Sequence, residues 1–180
     1  VSINCRRLIM SVDFNKIAER VGIWNAIAGN DVNDKNSLES QIQLYINLCH
    51  EEAVEGYCAY TELGVNYREV LDSAVDQFVV LSRLINLLDK RGFDIQKAFD
   101  RILDNNDSKY INGYEPACAK TPDDVLHTLN NYGNRDVEAR AEYNPVFNKW
   151  VIKNNLTNKI LKPIHFKAVD LGDLVPEDLR

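Results

Sequence analysis

The segment Asn66–Gly92 constrains this chain more than any other. Asn66, with Glu69 three residues on, has the form of a helix-opening capping box. Val70, Ala74, Phe78, Leu81, Ile85 and Leu88 then recur at helical spacing as far as Gly92. From Phe78 to Leu88 the helix is apolar on nearly every side. A helix without a wet face has to be central, with other elements wrapped around it.

The rest of the chain supplies candidates. A first helix is predicted from Phe14 to about Ile27, capped by Asp13, with Phe14, Ile17, Ala18, Val21 and Ile27 as a broken apolar stripe. After a polar loop, Ser37 caps a long second helix to about Glu62, which Gly64 ends. Asp94 caps a fourth, about Ile95–Asn105, with Ala98, Phe99 and Ile102 inward. Thr121–Pro122–Asp123–Asp124 opens a short fifth helix, through Val125 and Leu129, that stops near Tyr132–Gly133. Val146–Lys153 reads as a strand that forms a small hairpin with Ile160–Lys162, and Pro163 and Pro176 keep the tail extended. The expected fold is all-α, a four-to-five-helix bundle with a small C-terminal β-hairpin appendage. Residues 1–11 are expected to be an N-terminal extension, 12–133 the helical domain, and 134–180 the hairpin and tail packed on it.

Composition narrows the function. Of 180 residues, 45% are apolar and 27% charged, as in ordinary globular domains, and the net charge is −6. That balance, without a basic cluster, argues against nucleic acid as a partner. No stretch has the character of a signal peptide or a membrane span. Cys5, Cys49, Cys58 and Cys118 lack the spacing of a zinc or redox motif, which predicts free thiols in a reducing, cytoplasmic setting.

Two helices carry unusual groups of acids. Glu51, Glu52 and Glu55 share an arc of about 100°. Leu44, Leu48, Cys58 and Ala59 extend that arc, whereas the polar stripe runs through Glu39, Gln43, Asn47 and His50. On the third helix Glu69, Asp72 and Asp76 fall within about 60° of one another, on a stripe that continues as Val80 and Leu87. The helix dipole accounts for acids in the first turn but not for Asp76 between Val75 and Phe78. Like charges gathered near an interior are costly unless a cation sits among them, and an all-oxygen set suits Mg2+, with Mn2+ as the alternative. Asp72 and Asp76, one turn apart, make a better pair than Glu69 and Asp76, about 10 Å apart along the axis. The plainer account is a solvated acidic face. Trp24 has two readings as well, a ring for stacking a base or a packing residue.

The series resembles the all-α NTP pyrophosphatase superfamily, the MazG-like group of phage and bacteria. Glu51–Glu52–Ala53–Val54–Glu55 is similar to that family's Glu-Glu-x-x-Glu motif, and Glu69–Asp76 to its second acidic motif. Gln77–Val80, Arg91–Asp94, Asn106–Asp107–Ser108–Lys109 and Lys159–Ile160–Leu161–Lys162–Pro163 extend the likeness over roughly residues 12–171. At the position three residues before the final aspartate, where many members have Glu, this chain has Ser73, with Asp72 beside it as the candidate substitute. The resemblance implies Mg2+-dependent hydrolysis of a nucleoside triphosphate to monophosphate and pyrophosphate. Glu51, Glu52, Glu55, Asp72 and Asp76 would ligate metal, with Glu51 or Glu52 as general base. Lys109, Asn106 and Trp24 would contact the substrate. A homodimer or dimer of dimers is expected, because the helices carry more apolar surface than one bundle layer can bury. The alternatives are a non-catalytic nucleotide-binding module and a structural helical oligomer.

Overall fold

The computed structural model describes residues 12–28, 38–61, 64–113, 120–129, 138–166 and 168–180. The chain divides into two compact units: residues 1–95 with 176–179, and residues 96–175 with 180.

The first unit is built on three helices, α1 (Phe14–Ile27), α2 (Leu38–Cys58) and α3 (Tyr67–Lys90). Local signals set their starts. The Asp13 side chain accepts from the backbone N–H of Lys16, and that of Asn66 from Glu69, satisfying donors that the first turn leaves orphaned. The core is a seam between α2 and α3, with Leu38 and Tyr45 packed on Val80 and Leu87. Buried residues fall at spacings of seven or its double: Leu38 and Tyr45 on α2 with Ala59 just past its end, and Ser73, Val80 and Leu87 on α3, where Ser82 is buried as well. That period is the signature of helices running side by side. α2 stops at Cys58, short of the expected Glu62. The chain instead folds β1 (Tyr60–Thr61) back on β2 (Gly64–Val65) as a minimal antiparallel hairpin, with Gly64 at a positive φ of 127°.

The second unit overturns the all-α expectation. Its centre is a three-stranded antiparallel sheet in the order β3 (Ile111–Asn112), β5 (Lys149–Asn154), β4 (Ala139–Asn144). With it the described residues are 58% helical and 14% strand, a mixed content rather than a bundle with an appendage. The hairpin also differs from expectation. β5 pairs with β4, from Ala139↔Asn154 to Asn144↔Lys149, so Val146 and Phe147 lie in the turn rather than in a strand. Ile160 makes only an isolated bridge to Lys153. Ile111, Val125, Trp150, Ile152 and Leu161 form the core, which draws in α5 (Pro122–Leu126). α5 opens as predicted: Thr121 and Asp124 exchange both arms of a capping box, with Pro122 in the first turn. α4 (Ile95–Asp107) follows Asp94 directly, and Arg101 grips the Asp173 carboxylate with both guanidinium nitrogens. Residues 1–11, the 29–37 loop with its Ser37 cap, and the expected helix stop at Tyr132–Gly133 lie outside the described residues. Among the described residues no helix is long and apolar enough to cross a membrane.

Candidate metal centre and adjoining cleft

The site begins with Gly56. A Cβ at this position would stand 2.5 Å from Ser73 Oγ, so α2 and α3 can approach this closely only because it is missing. Ser73 uses the proximity: its hydroxyl donates to the backbone carbonyl of Glu52 at 2.6 Å. Gln77 Nε2 donates to the same carbonyl at 3.4 Å and to Ser73 Oγ at 3.1 Å. Ser73 is thereby buried in the seam and spent on packing. Ser73 acts as a helix-to-helix clasp.

Glu52 sits in the same seam, seven residues after Tyr45 and seven before Ala59. It is half-buried, whereas Glu51, Glu55, Asp72 and Asp76 are exposed along the flanks. The expectation that Asp72 and Asp76 turn into the interior is therefore corrected. Burial holds the Glu52 carboxyl above its ordinary range, and Glu55, Asp76, Glu51 and Asp72, in falling order, push it the same way. One carboxylate thus feels four others contributed by two helices, in keeping with their closeness, since such fields fade quickly with distance. None of the five is in an ion pair with a described residue. As oriented, no three His, Cys, Asp or Glu side chains among the described residues are gathered tightly enough to hold an ion. The donor set is nonetheless all oxygen, unpaired and self-repelling, which fits a hard divalent cation. Cys49, one turn before Glu52, has its thiol pushed up by burial and by that glutamate, which disfavours the reactive thiolate.

Asp76 also borders a cleft of about 600 Å³ between α1 and α3. Trp24, Phe14 and Phe78 give it an apolar, aromatic wall, and the two phenylalanine rings lie 4.9 Å apart. The Arg20 guanidinium rests 5.3 Å from the Trp24 ring and faces the same cleft. Trp24 remains 42% exposed, so it packs as a wall rather than as core. A second cavity, about 610 Å³, has Glu55 and Glu69 in its lining. The structure thus puts Trp24 and Asp76 on one cleft and sets Glu51, Glu55, Asp72 and Asp76 within electrostatic reach of Glu52, without drawing them into a ligand set. Asn106 and Lys109 belong to the second unit, where they bond to each other.

Sequence reasoning missed Arg20, Phe14 and Phe78 as cleft residues, and it missed the seam position of Glu52. The seven-residue spacing Leu38–Tyr45–Glu52–Ala59 was the available signal. Compared with family models, curated proteins and solved structures, the chain gives no match.

Proposed function

We propose that the chain is a Mg2+-dependent nucleoside triphosphate pyrophosphohydrolase, releasing pyrophosphate and a nucleoside monophosphate, in a cytoplasmic setting. One observation carries the reading: four carboxylates of α2 and α3 lie near enough to raise the Glu52 pKa, none of the five is ion-paired with a described residue, and Asp76 among them lines an aromatic cleft. The cleft's size and walls suit a base and sugar, with Trp24 as the stacking surface and Arg20 at hand for an anionic group. Glu51, Glu52, Glu55, Asp72 and Asp76 would hold the metal, which when bound neutralises phosphate charge and lowers the pKa of water. Glu52, whose raised pKa already favours holding a proton, is the residue best suited to take one from the attacking water. Exposed Leu71 (66%), Val75 (53%) and Leu81 (44%) along α3 support a second copy as the covering partner.

The test is a panel of ribo- and deoxyribonucleoside triphosphates with Mg2+, read by pyrophosphate release. Turnover on at least one, reduced about 100-fold or more in Glu52→Gln, is the expected result. A folded chain that cleaves none of them overturns the assignment. A non-catalytic nucleotide binder is the second reading, favoured by Ser73 being locked in the seam where the family motif has a carboxylate. It predicts that Mg2+ and nucleotide together raise Tm without turnover.

A further inference from the structure

The sheet of the second unit has a face that its core does not use. Alternation along β5 commits Trp150 and Ile152 to the core, so Lys149 and Val151 project from the opposite face. There a cavity of about 500 Å³ is lined by Val151, Tyr110 and Phe147, with Asp107, Asn144 and Lys149 as its polar groups. A mostly apolar hollow with a few polar groups is the form of a small-molecule site, for which about 300–1,000 Å³ is usual.

Phe147 stays 54% exposed, on a turn that is pinned in place. Asn144 Oδ1 accepts from the backbone N–H groups of Val146 and Phe147, at 3.0 Å and 3.4 Å. Tyr143 donates its hydroxyl to Asn148 Oδ1, and the Asn148 carbonyl accepts from the Gly113 N–H, each at 2.9 Å. Gly113 is required there, because a Cβ would stand 2.5 Å from both Asn148 Oδ1 and Tyr143 Cε2. The ring is held outward at a cost in exposed apolar surface that a ligand's own ring would recover.

The polar groups divide by sign. Asn144 and Lys149 are cross-strand partners on the sheet. Lys149 Nζ donates to Asn112 Oδ1 at 2.6 Å and meets no carboxylate among the described residues. Asn144 spends its oxygen on the turn, which leaves its Nδ2 to donate. Asp107 comes from the other side, as the last residue of α4. A carboxylate there meets the negative end of the helix dipole, and the last turn has no basic residue to offset it. Asp107 is in no ion pair with a described residue, Lys149 included. The two charges line one cavity yet do not pair directly, an arrangement complementary to a molecule that carries both signs.

We infer that this cavity binds a zwitterionic α-amino acid with an aromatic side chain. Its carboxylate goes to Lys149 and the Asn144 amide, its ammonium to Asp107, and its ring against Tyr110, Phe147 and Val151. A simple anion would be repelled by Asp107, and a simple amine would leave Lys149 unanswered. The site lies within the second unit and stands whether or not the hydrolase reading holds.

The experiment is calorimetric titration of the full chain with L-phenylalanine, L-tyrosine and L-tryptophan. Phenethylamine lacks the carboxylate, hydrocinnamate the ammonium and L-alanine the ring, so each tests one contact. At least one aromatic amino acid should bind, and each truncated probe should bind about tenfold or more weakly. Asp107→Asn should weaken the amino acid by about tenfold and abolish its advantage over hydrocinnamate. Lys149→Gln should weaken it similarly and abolish its advantage over phenethylamine. General damage to the fold would not produce that crossed pattern. Phe147→Ala should weaken every ring-bearing ligand. The inference is overturned if no aromatic amino acid binds, or if either one-charge probe binds wild type as tightly as the amino acid. Amino-acid binding indifferent to both Asp107→Asn and Lys149→Gln overturns it as well.

Discussion

The two units handle charge in opposite ways. The first has nine basic against sixteen acidic side chains, the second twelve against eleven. In the second unit two acids are matched by pairs of cations: Glu142 lies between Arg140 and Lys153, and Asp173 between Arg101 and Lys97. Those pairs hold both carboxyls below their ordinary values, Asp173 at about 2. In the first unit four exposed carboxylates flank the seam that holds Glu52, and Glu52 is shifted the other way. Balanced charge tightens a scaffold. Unbalanced charge on a close helix pair works against folding and is retained where something outside the chain supplies the missing cation.

The largest expected effect comes from the balanced unit. Ile152 has no exposed surface, so Ile152→Ala should cost about 2–5 kcal/mol, measured by denaturant unfolding. A cost under 1 kcal/mol would mean that the sheet core is not what holds this unit. Next is the seam. Gly56→Ala drives a methyl into Ser73 Oγ and should cost about 1–3 kcal/mol while abolishing any rise of Tm with Mg2+. Ser73→Gly in the same chain should recover both. If the double variant stays blind to Mg2+, helix spacing is not what arranges the carboxylates.

Glu52 gives a smaller effect of diagnostic sign. Its folded pKa lies above the ordinary 4.5, so the cost of ionisation is absent below that ordinary value and fully present once the pH has risen past the shifted one. In EDTA, Glu52→Gln should therefore melt above wild type at pH 7, and the gap should close near about pH 4. Wild type melting higher at pH 7 would mean that the cluster is already compensated. Smallest is Asp173→Asn, with a slight fall in Tm at pH 7 for an exposed pair. The Arg101 pair contributes fully above the unfolded carboxyl value of 3.8, and its contribution disappears as pH falls through about 2. Melting curves of the two proteins should thus converge in acid, opposite in sign to the Glu52 case.

What the sequence made legible follows the range of the forces involved. The starts at Asp13, Asn66 and Thr121 were readable because a cap bonds only two or three residues ahead. The strands were not. β3 is two residues long, and β4, Ala139–Asn144, alternates but has only two alanines and a tyrosine on its apolar side, so pairing to β5 more than pattern makes them strands. The two acidic groups could be placed on their helices from periodicity. Their meeting depends on Gly56 facing Ser73 across a helix pair, and a single helix's wheel carries no distance to its neighbour. Asp107 and Lys149 come to one cavity from separate elements, beyond any local signal.

Position 56 also acts as a spacer of adjustable thickness. The gap between the backbones of α2 and α3 is set by a hydrogen where other residues carry carbon, so the spacing of the carboxylates on the two helices is governed from a residue that has none. Graded substitutions at 56 and 73 would widen that spacing in steps, with every carboxylate left in place, and any response of Tm to Mg2+ should give way to one favouring a larger ion such as Ca2+.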